Sequence, residues 1–299
     1  MELAVIILNW NAAADTIRCA RYVAEWKHLR PVIWIVDNAS TDDSAEVILR
    51  ECANVRLIRN STNLGFAGGN NRGIVESLAE SSVSILLLNN DAFIDEEDVT
   101  RLLDTLRVDD RIGLVGPLLF DADENDRLLA AGGRDPVRHH HSHILTLTPG
   151  EPIRVVEYVP GTALLARAEL FRTVGLLDED YFFAMEVADL CMRAGQYGYI
   201  SVVDTRARAL HALDRSSELR ETLHTYYIIR NRFLFIRKFY PRQKALFYGF
   251  WTLYSLTLSL KIRVSGKPTA AKAVWMGLLD GLRGRFGGQN ERVLSVCSV

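Results

Sequence analysis

Six residues, Val83-Ser84-Ile85-Leu86-Leu87-Leu88, run without a charge straight into Asn89-Asn90-Asp91. A run this apolar and this short fits a strand buried on both faces, as inside a parallel sheet. Two carboxamides and a carboxylate then stand where the strand stops. In open α/β sheets, ligands bind at such carboxyl ends. A carboxylate with amide neighbours there suits a divalent cation, Mg²⁺ or Mn²⁺, that carries a diphosphate. The same residue types also make polar turns and helix caps, so the segment alone leaves both readings open.

The pattern recurs upstream. Residues 3–8, 32–36 and 55–58 are further candidate strands, and residues 15–27, 44–52 and 68–78 candidate helices between them. This alternation predicts a mainly parallel sheet with helices on both faces. No GxGxxG follows the first strand, which disfavours an ordinary dinucleotide site. Residues 121–126 form an acidic turn. Strand character resumes over 155–167 around Pro160-Gly161, then a helix over 186–195 and a strand over 199–203. Arg138-His139-His140-His141-Ser142-His143 holds four of the seven histidines. Consecutive residues cannot all face one ion, so a solvated loop or edge strand is expected.

With 299 residues, 48% of them hydrophobic, the chain can bury a sizeable core, and global disorder is excluded. Charge divides it. Residues 1–215 hold 21 Lys/Arg and 33 Asp/Glu, a net of −12, whereas residues 216–299 hold 14 and 4, a net of +10. The acidic body argues against nucleic acid as a partner; the basic tail suits anionic lipid. Two domains are expected, 1–215 and 216–299. The tail predicts a long helix over 220–240 and a stretch of 16 uncharged residues between Lys244 and Lys261. As a helix it spans about 24 Å, short of the roughly 20 residues a bilayer needs. Residues 269–286 place Val274, Trp275, Leu278, Leu279, Leu282 and Phe286 on one face, the pattern of an interfacial helix. Packing on the first domain, or on a second subunit in a homodimer, is the competing expectation. Cys19, Cys52, Cys191 and Cys297 show no CxxC spacing, as expected of reduced thiols in the cytoplasm. Met1-Glu2-Leu3 has no basic start or cleavage site, so no signal peptide is expected.

Further motifs bear on chemistry. Val36-Asp37-Asn38-Ala39-Ser40-Thr41-Asp42 closes the second strand, with Ser40 or Thr41 able to cap the next helix. Asn63-Leu64-Gly65-Phe66-Ala67-Gly68-Gly69-Asn70-Asn71-Arg72-Gly73 is a Gly-rich turn into a helix, where phosphate is attracted and Arg72 adds fixed charge. Together with Ile7-Leu8-Asn9-Trp10-Asn11, Leu87-Leu88-Asn89-Asn90-Asp91, Val159-Pro160-Gly161-Thr162-Ala163, Glu186-Val187-Ala188-Asp189-Leu190-Cys191, His211 and the Tyr227 to Arg232 segment, these resemble the family 2 glycosyltransferases, closest to their bacterial rhamnosyltransferase-like branch. Each piece alone is weak; the ordered set is specific and spans residues 4 to 240.

The resemblance implies a GT-A, Rossmann-like α/β fold with a C-terminal helical extension. It also implies inverting transfer from a nucleotide-diphosphate sugar with Mg²⁺ or Mn²⁺ bound. In that assignment Asp37 accepts from the donor's pyrimidine base, Asn9 and Asn11 line the base and ribose pocket, and Arg72 lies near the nucleotide. Asn89-Asn90-Asp91 occupies the family's Asp-x-Asp site, with Asp91 on the metal and Asn89 in place of the first carboxylate. His211 completes the metal or diphosphate site. The catalytic helix keeps Glu186 and Asp189, which at i and i+3 share one helix face, while Val187 replaces an acid. Either carboxylate can be the base. The donor expected is a dTDP-linked deoxysugar such as rhamnose. The acceptor is a glycan or lipid-linked glycan in cell-surface polysaccharide synthesis, met at the inner face of the cell membrane. Two rivals stand beside this. Sugar-phosphate nucleotidyl transfer wants a basic loop after the first strand, and Asn9-Trp10-Asn11-Ala12-Ala13-Ala14 has no Lys or Arg. A non-catalytic nucleotide-sugar-binding or scaffold protein is suggested by Val187.

Overall fold

The computed structural model describes residues 3–124, 127–148, 150–212 and 218–297. The expected boundary at 215/216 and the last residues of the acidic turn, 125–126, lie outside the described residues. Two compact units are present. The first comprises residues 1–135, 141–177 and 187–213; the second comprises 136–140, 178–186 and 214–299.

The first unit opens with β1 (Leu3–Asn9), α1 (Ala13–Ala24), β2 (Val32–Asp37), α2 (Ser44–Glu51), β3 (Val55–Arg59), α3 (Gly65–Ala79) and β4 (Ser84–Asn89). It continues with β5 (Ala92–Ile94), α4 (Glu96–Val108), β6 (Ile112–Asp121), β7 (Leu128–Ala130), β8 (Ile153–Val156), β9 (Ala163–Arg167), α5 (Ala168–Val174), α6 (Glu186–Gln196, whose first residue, Glu186, counts with the second unit) and β10 (Ile200–His211). One ten-stranded sheet results, in the order β3-β2-β1-β4-β9-β6-β10-β5, with β7 on β6 and β8 on β10. The four strands of the β3-β2-β1-β4 half are mutually parallel, as the alternation predicts. Antiparallel β9 then joins them to the parallel pair β6–β10.

Burial explains the apolar runs. Ala4, Val5, Ile6, Ile7, Ile85 and Leu86 are wholly inside, because α1 and α3 cover the sheet near β1. On α3, Gly69 and Gly73 allow that approach: a Cβ would come within 2.4 Å of Leu8 Cδ1 and 2.6 Å of Ile6 Cγ2. The strand character expected over 155–167 is carried by two strands, β8 and β9. β8 pairs with β10 and β9 with β4, separated by a turn at Pro160, which has no N–H to give a ladder. β10 runs eight residues past the expected end, to His211. Past Asp204 its buried Ala207 and Ala209 alternate with Arg206 and Arg208, a half-buried strand behind a register shift.

The second unit contains α7 (Glu218–Phe239), α8 (Lys244–Val264), α9 (Pro268–Arg283) and α10 (Asn290–Cys297). Here the interfacial reading of the α9 face needs correction. Val274 and Leu278 are buried, with Ala273 and Met276, and Gly277 lets α9 close on the Tyr226 carbonyl of α7. Of the expected face, Trp275 and Leu282 are exposed, and Leu279 and Phe286 are half-buried. Trp251 of α8 is also inside, its Nε1 donating to the Val137 carbonyl at 3.0 Å. The exposed apolar surface lies on the other side of α8. There Leu246, Phe250, Leu253, Leu260 and Val264 each expose more than half of their surface. Among the described residues no helix is long and apolar enough to cross a membrane.

Candidate functional site

Asn9 and Asp37 end the adjacent strands β1 and β2 in register with one another. Asp37 is almost fully buried, and its carboxylate is an acceptor hub. Asn9 Nδ2 donates to Oδ1 at 2.8 Å, Ser40 Oγ to Oδ1 at 2.6 Å, and the Ser40 N–H to Oδ2 at 3.2 Å. Asn9 is wholly buried and its amide is committed on both sides, since Oδ1 accepts from Thr16 Oγ1 at 2.7 Å. It braces Asp37 and has little left for a ligand. The chain of bonds continues: Asn90 Nδ2 donates to Thr16 Oγ1 at 3.0 Å. One hydrogen-bonded line therefore ties the end of β4 to the ends of β1 and β2. Ser40, expected as a helix cap, instead bonds Asp37 and accepts from the Asn11 N–H at 2.9 Å, because α2 begins later with Asp43 at its N-cap.

Asn11 sits in the left-handed region at φ 51, and its Oδ1 accepts from the Thr41 N–H at 2.7 Å. The residue thus fixes the 10–12 turn against the 38–42 loop. Asn38 fixes that loop to the next one. Its Nδ2 donates to Asn63 Oδ1 and the Gly65 carbonyl, and its Oδ1 accepts from the Leu64 N–H, all at 3.0 Å. Asn38 and Thr16 are framework residues to which sequence reasoning gave no role, and Ser40 one that it read only as a possible cap. Asn38 and Ser40 stood in a quoted motif, but nothing in the sequence singled out Thr16. Arg72, on α3, is exposed.

Asp91 follows β4 and is buried; Asn89 and Asn90 are half-buried. The Asn89 N–H donates to the Thr162 carbonyl at 2.9 Å, locking the strand end to the turn before β9. His211 faces Ala92 across the β10–β5 ladder, and the Ala212 N–H donates to the Asp91 carbonyl. The two side chains converge, with His211 Nε2 3.1 Å from Asp91 Oδ1. A carboxylate oxygen and an imidazole nitrogen at this distance fit two ligands of one cation. Asn89 brings no charge to it. The described residues contain no cluster of three or more His, Cys, Asp or Glu able to hold a metal. Burial, with the Asp91 charge second, pushes the Cys19 thiol up to about 12, and it donates to the Asn89 carbonyl at 3.7 Å. The histidine-rich segment has other contacts. His140 packs edge-on against Tyr254, and His143 against Tyr158.

Glu186 and Asp189 lie on α6, and their surroundings differ. Asp189 is fully buried and ion-paired with Arg193, Nε to Oδ2 at 2.6 Å. Arg193 also donates to the carbonyls of Val174 and Leu176, so Asp189 anchors α6 to the end of α5. Glu186 is 6% exposed and opens the helix. Val187, where an acid was expected, is buried against Gly161, whose added Cβ would lie 3.1 Å from Val187 Cγ2. A carboxylate there would be desolvated against the Pro160-Gly161 turn.

A parallel half-sheet with the braced Asp37 carboxylate at its carboxyl edge, and a carboxylate–imidazole pair at the next strand end, fits the GT-A fold. The chain belongs to Glycosyl transferase family 2, whose pattern matches residues 4–155. It is therefore a glycosyltransferase that takes its sugar from a nucleotide donor. It is similar to the N-acetylglucosaminyl-diphospho-decaprenol L-rhamnosyltransferase of Mycobacterium tuberculosis, 30% identical over 207 residues, 61% of this chain and 67% of the relative. It is 24% identical over 292 residues to the dTDP-rhamnosyl transferase RfbF of Shigella flexneri, covering 95% and 96%. Its fold resembles a mannosyltransferase from Pyrobaculum calidifontis solved in complex with GDP-Man and Mn²⁺. The TM-score is 0.59 at 13% identity, over 99% of this chain and 79% of that one.

Proposed function

We propose that this glycosyltransferase is metal-dependent and inverting, and that it moves rhamnose from dTDP-rhamnose to a lipid-linked glycan in cell-surface polysaccharide synthesis. The observation that carries the site assignment is the Asp91–His211 pair, 3.1 Å apart at the strand ends. A mixed carboxylate and imidazole set favours Mn²⁺ over Mg²⁺, which prefers an all-oxygen octahedron. The bound cation would supply charge to stabilise the departing diphosphate. The rest is done by the chain. Asp37 accepts a hydrogen bond from the donor base, held in place by Asn9 and Ser40. Asn11 and Thr41 shape the adjacent turn, and Arg72 adds positive charge near the nucleotide. Asn90, through Thr16, keeps the metal and base subsites in register. Glu186 takes the proton of the acceptor hydroxyl, which attacks the anomeric carbon opposite the diphosphate and so inverts it. Asp189, neutralised by Arg193, orients the helix instead.

The sugar and the acceptor are supported by the relatives, two of which are rhamnosyltransferases, one on a decaprenyl-diphosphate carrier. Peripheral attachment to an anionic membrane is supported by α8. Its exposed residues recur at intervals of three, four and seven, which places them on one face. Exposed Lys244, Lys261, Arg263 and Lys267 flank that face, and each basic residue near an anionic surface adds about 1 kcal/mol. Thermal-shift screening of dTDP-, UDP- and GDP-sugars with and without Mn²⁺ tests the donor. Stabilisation by dTDP-rhamnose that requires Mn²⁺ is expected. Stabilisation by another sugar nucleotide alone would overturn the rhamnose assignment.

A further inference from the structure

The residues that lead into Glu186 are held in a conformation that their own side chains disfavour. Phe182, Ala184 and Met185 have φ of 61, 69 and 74. None is glycine, so each resists the left-handed region. Two neighbouring residues of α7 account for the geometry. Asn231 is fully buried, and its Nδ2 faces three carbonyls of this one segment: Tyr181 at 3.1 Å, Phe183 at 2.8 Å and Ala184 at 2.7 Å. Arg230, also fully buried, donates from Nη2 to the carbonyls of Asp180 at 3.0 Å and Tyr181 at 2.8 Å, and from Nη1 to that of Gly287. Its Nε donates to Asn231 Oδ1 at 2.9 Å, which fixes the carboxamide's orientation. Phe182 stacks on Tyr227, one turn earlier on α7, with ring centroids 5.2 Å apart.

A buried guanidinium and a buried carboxamide are costly ways to fill a core, and apolar residues of like volume often serve stability as well. Here Arg230 Nη2 and Asn231 Nδ2 are spent on the backbone that leads to Glu186. We propose that Asn231, oriented by Arg230, is a positioning residue for Glu186: it holds the 181–185 segment, with Phe182, Ala184 and Met185 left-handed, and so sets where the helix that begins at Glu186 starts. This rests on the reading of Glu186 as the acceptor base. Neither residue touches the reacting atoms. Their effect is on the geometry of proton removal, where a displacement of about 1 Å can cost on the order of 10²-fold.

The test is a double-mutant cycle in the full-length chain, with turnover measured on dTDP-rhamnose and Mn²⁺, dTDP affinity by calorimetry, and amide hydrogen exchange over 181–186. Asn231→Ala is expected to lower kcat by roughly 10- to 100-fold, to leave dTDP affinity unchanged, and to raise exchange in that segment. Combined with Glu186→Gln it should add nothing further, because the lost base no longer needs placing. Ala184→Val leaves α7 intact but resists φ 69, and should lose turnover as Asn231→Ala does; Ala184→Gly should lose less. These two variants stand in if Asn231→Ala does not fold. Unchanged exchange over 181–186 overturns the proposal whatever the donor proves to be. Losses that multiply in the double variant, or Ala184→Gly falling as far as Ala184→Val, overturn it and leave Glu186 as base. Full activity in Glu186→Gln removes the base and the positioning role together.

Discussion

Replacing Asp37 by alanine perturbs two quantities that the structure separates. The carboxylate accepts three hydrogen bonds, from Asn9 Nδ2, Ser40 Oγ and the Ser40 N–H, at 2.8, 2.6 and 3.2 Å. Asn9 Nδ2 keeps a second partner in Ser40 Oγ at 3.1 Å, so the framework is only partly orphaned. Hydrogen bonds to a charged group contribute about 1.5–3 kcal/mol each, and a buried donor left alone costs about 1–3 kcal/mol. A stability loss of about 2–3 kcal/mol is expected, which for a chain of this size lowers Tm by roughly 4–12 °C. On the proposed assignment, the hydrogen bond to the donor base is lost as well. At about 1.5–3 kcal/mol it weakens binding by roughly 10- to 150-fold. Thermal denaturation measures the first effect and calorimetric titration with dTDP and Mn²⁺ the second. A lower Tm with unchanged affinity would make Asp37 a framework residue alone. Unchanged values of both would refute the reasoning from this hydrogen-bond hub.

Three further outcomes are expected. Asp91→Ala and His211→Ala should each abolish the Mn²⁺ enhancement of dTDP binding seen by calorimetry, while metal-free affinity stays within about twofold of the parent, because both ligands act through the cation; retention of the enhancement would refute the metal assignment. Glu186→Gln should lower kcat by at least about 10²-fold with Tm nearly unchanged. Asp189→Asn should instead lower Tm, since it removes the anionic partner of Arg193 in a part-buried pair, so comparing Tm and kcat separates the two carboxylates. Phe250→Glu with Leu253→Glu, both on the exposed face of α8, should abolish sedimentation with anionic liposomes and leave Tm in place; binding that survives would remove α8 as the lipid-facing surface.

The first half of the fold is legible because its strands are wholly buried. β1, β2 and β4 have no polar face to write, so each appears as an uninterrupted apolar run closed by a polar residue. Elements that depend on partners far along the chain are not legible in this way. β5 and β7 have three residues each, and the second half of β10 carries Arg206 and Arg208 on an outer face. Yet that half-strand sets His211 opposite Ala92. In the tail, the apolar periodicity of α9 is real but is consumed by α7. No local pattern tells a helix face buried by a neighbour from one open to solvent. At the site, residue types announced Asp37, Asp91, Glu186 and Asp189. Their division of labour came from partners: Arg193 on Asp189, Thr16 on Asn9 and Asn90, Ser40 on Asp37. Arg193 on Asp189 is an i,i+4 pair within helix reach, but Thr16 to Asn90 joins residues 74 positions apart, and no spacing rule reaches that contact.

The most direct measurement of the central claim is sugar transfer with product stereochemistry. The protein would be incubated with dTDP-rhamnose, Mn²⁺ and a short-chain polyprenyl-diphosphate N-acetylglucosamine, with a matched reaction in excess chelator. Product would be followed by mass and the new anomeric centre assigned by NMR. The account predicts one added deoxyhexose, loss of transfer in chelator, and an anomeric configuration opposite to that of the donor. Transfer undiminished in chelator would contradict the role of Asp91 and His211. A product that retains the donor's configuration would contradict direct attack assisted by Glu186.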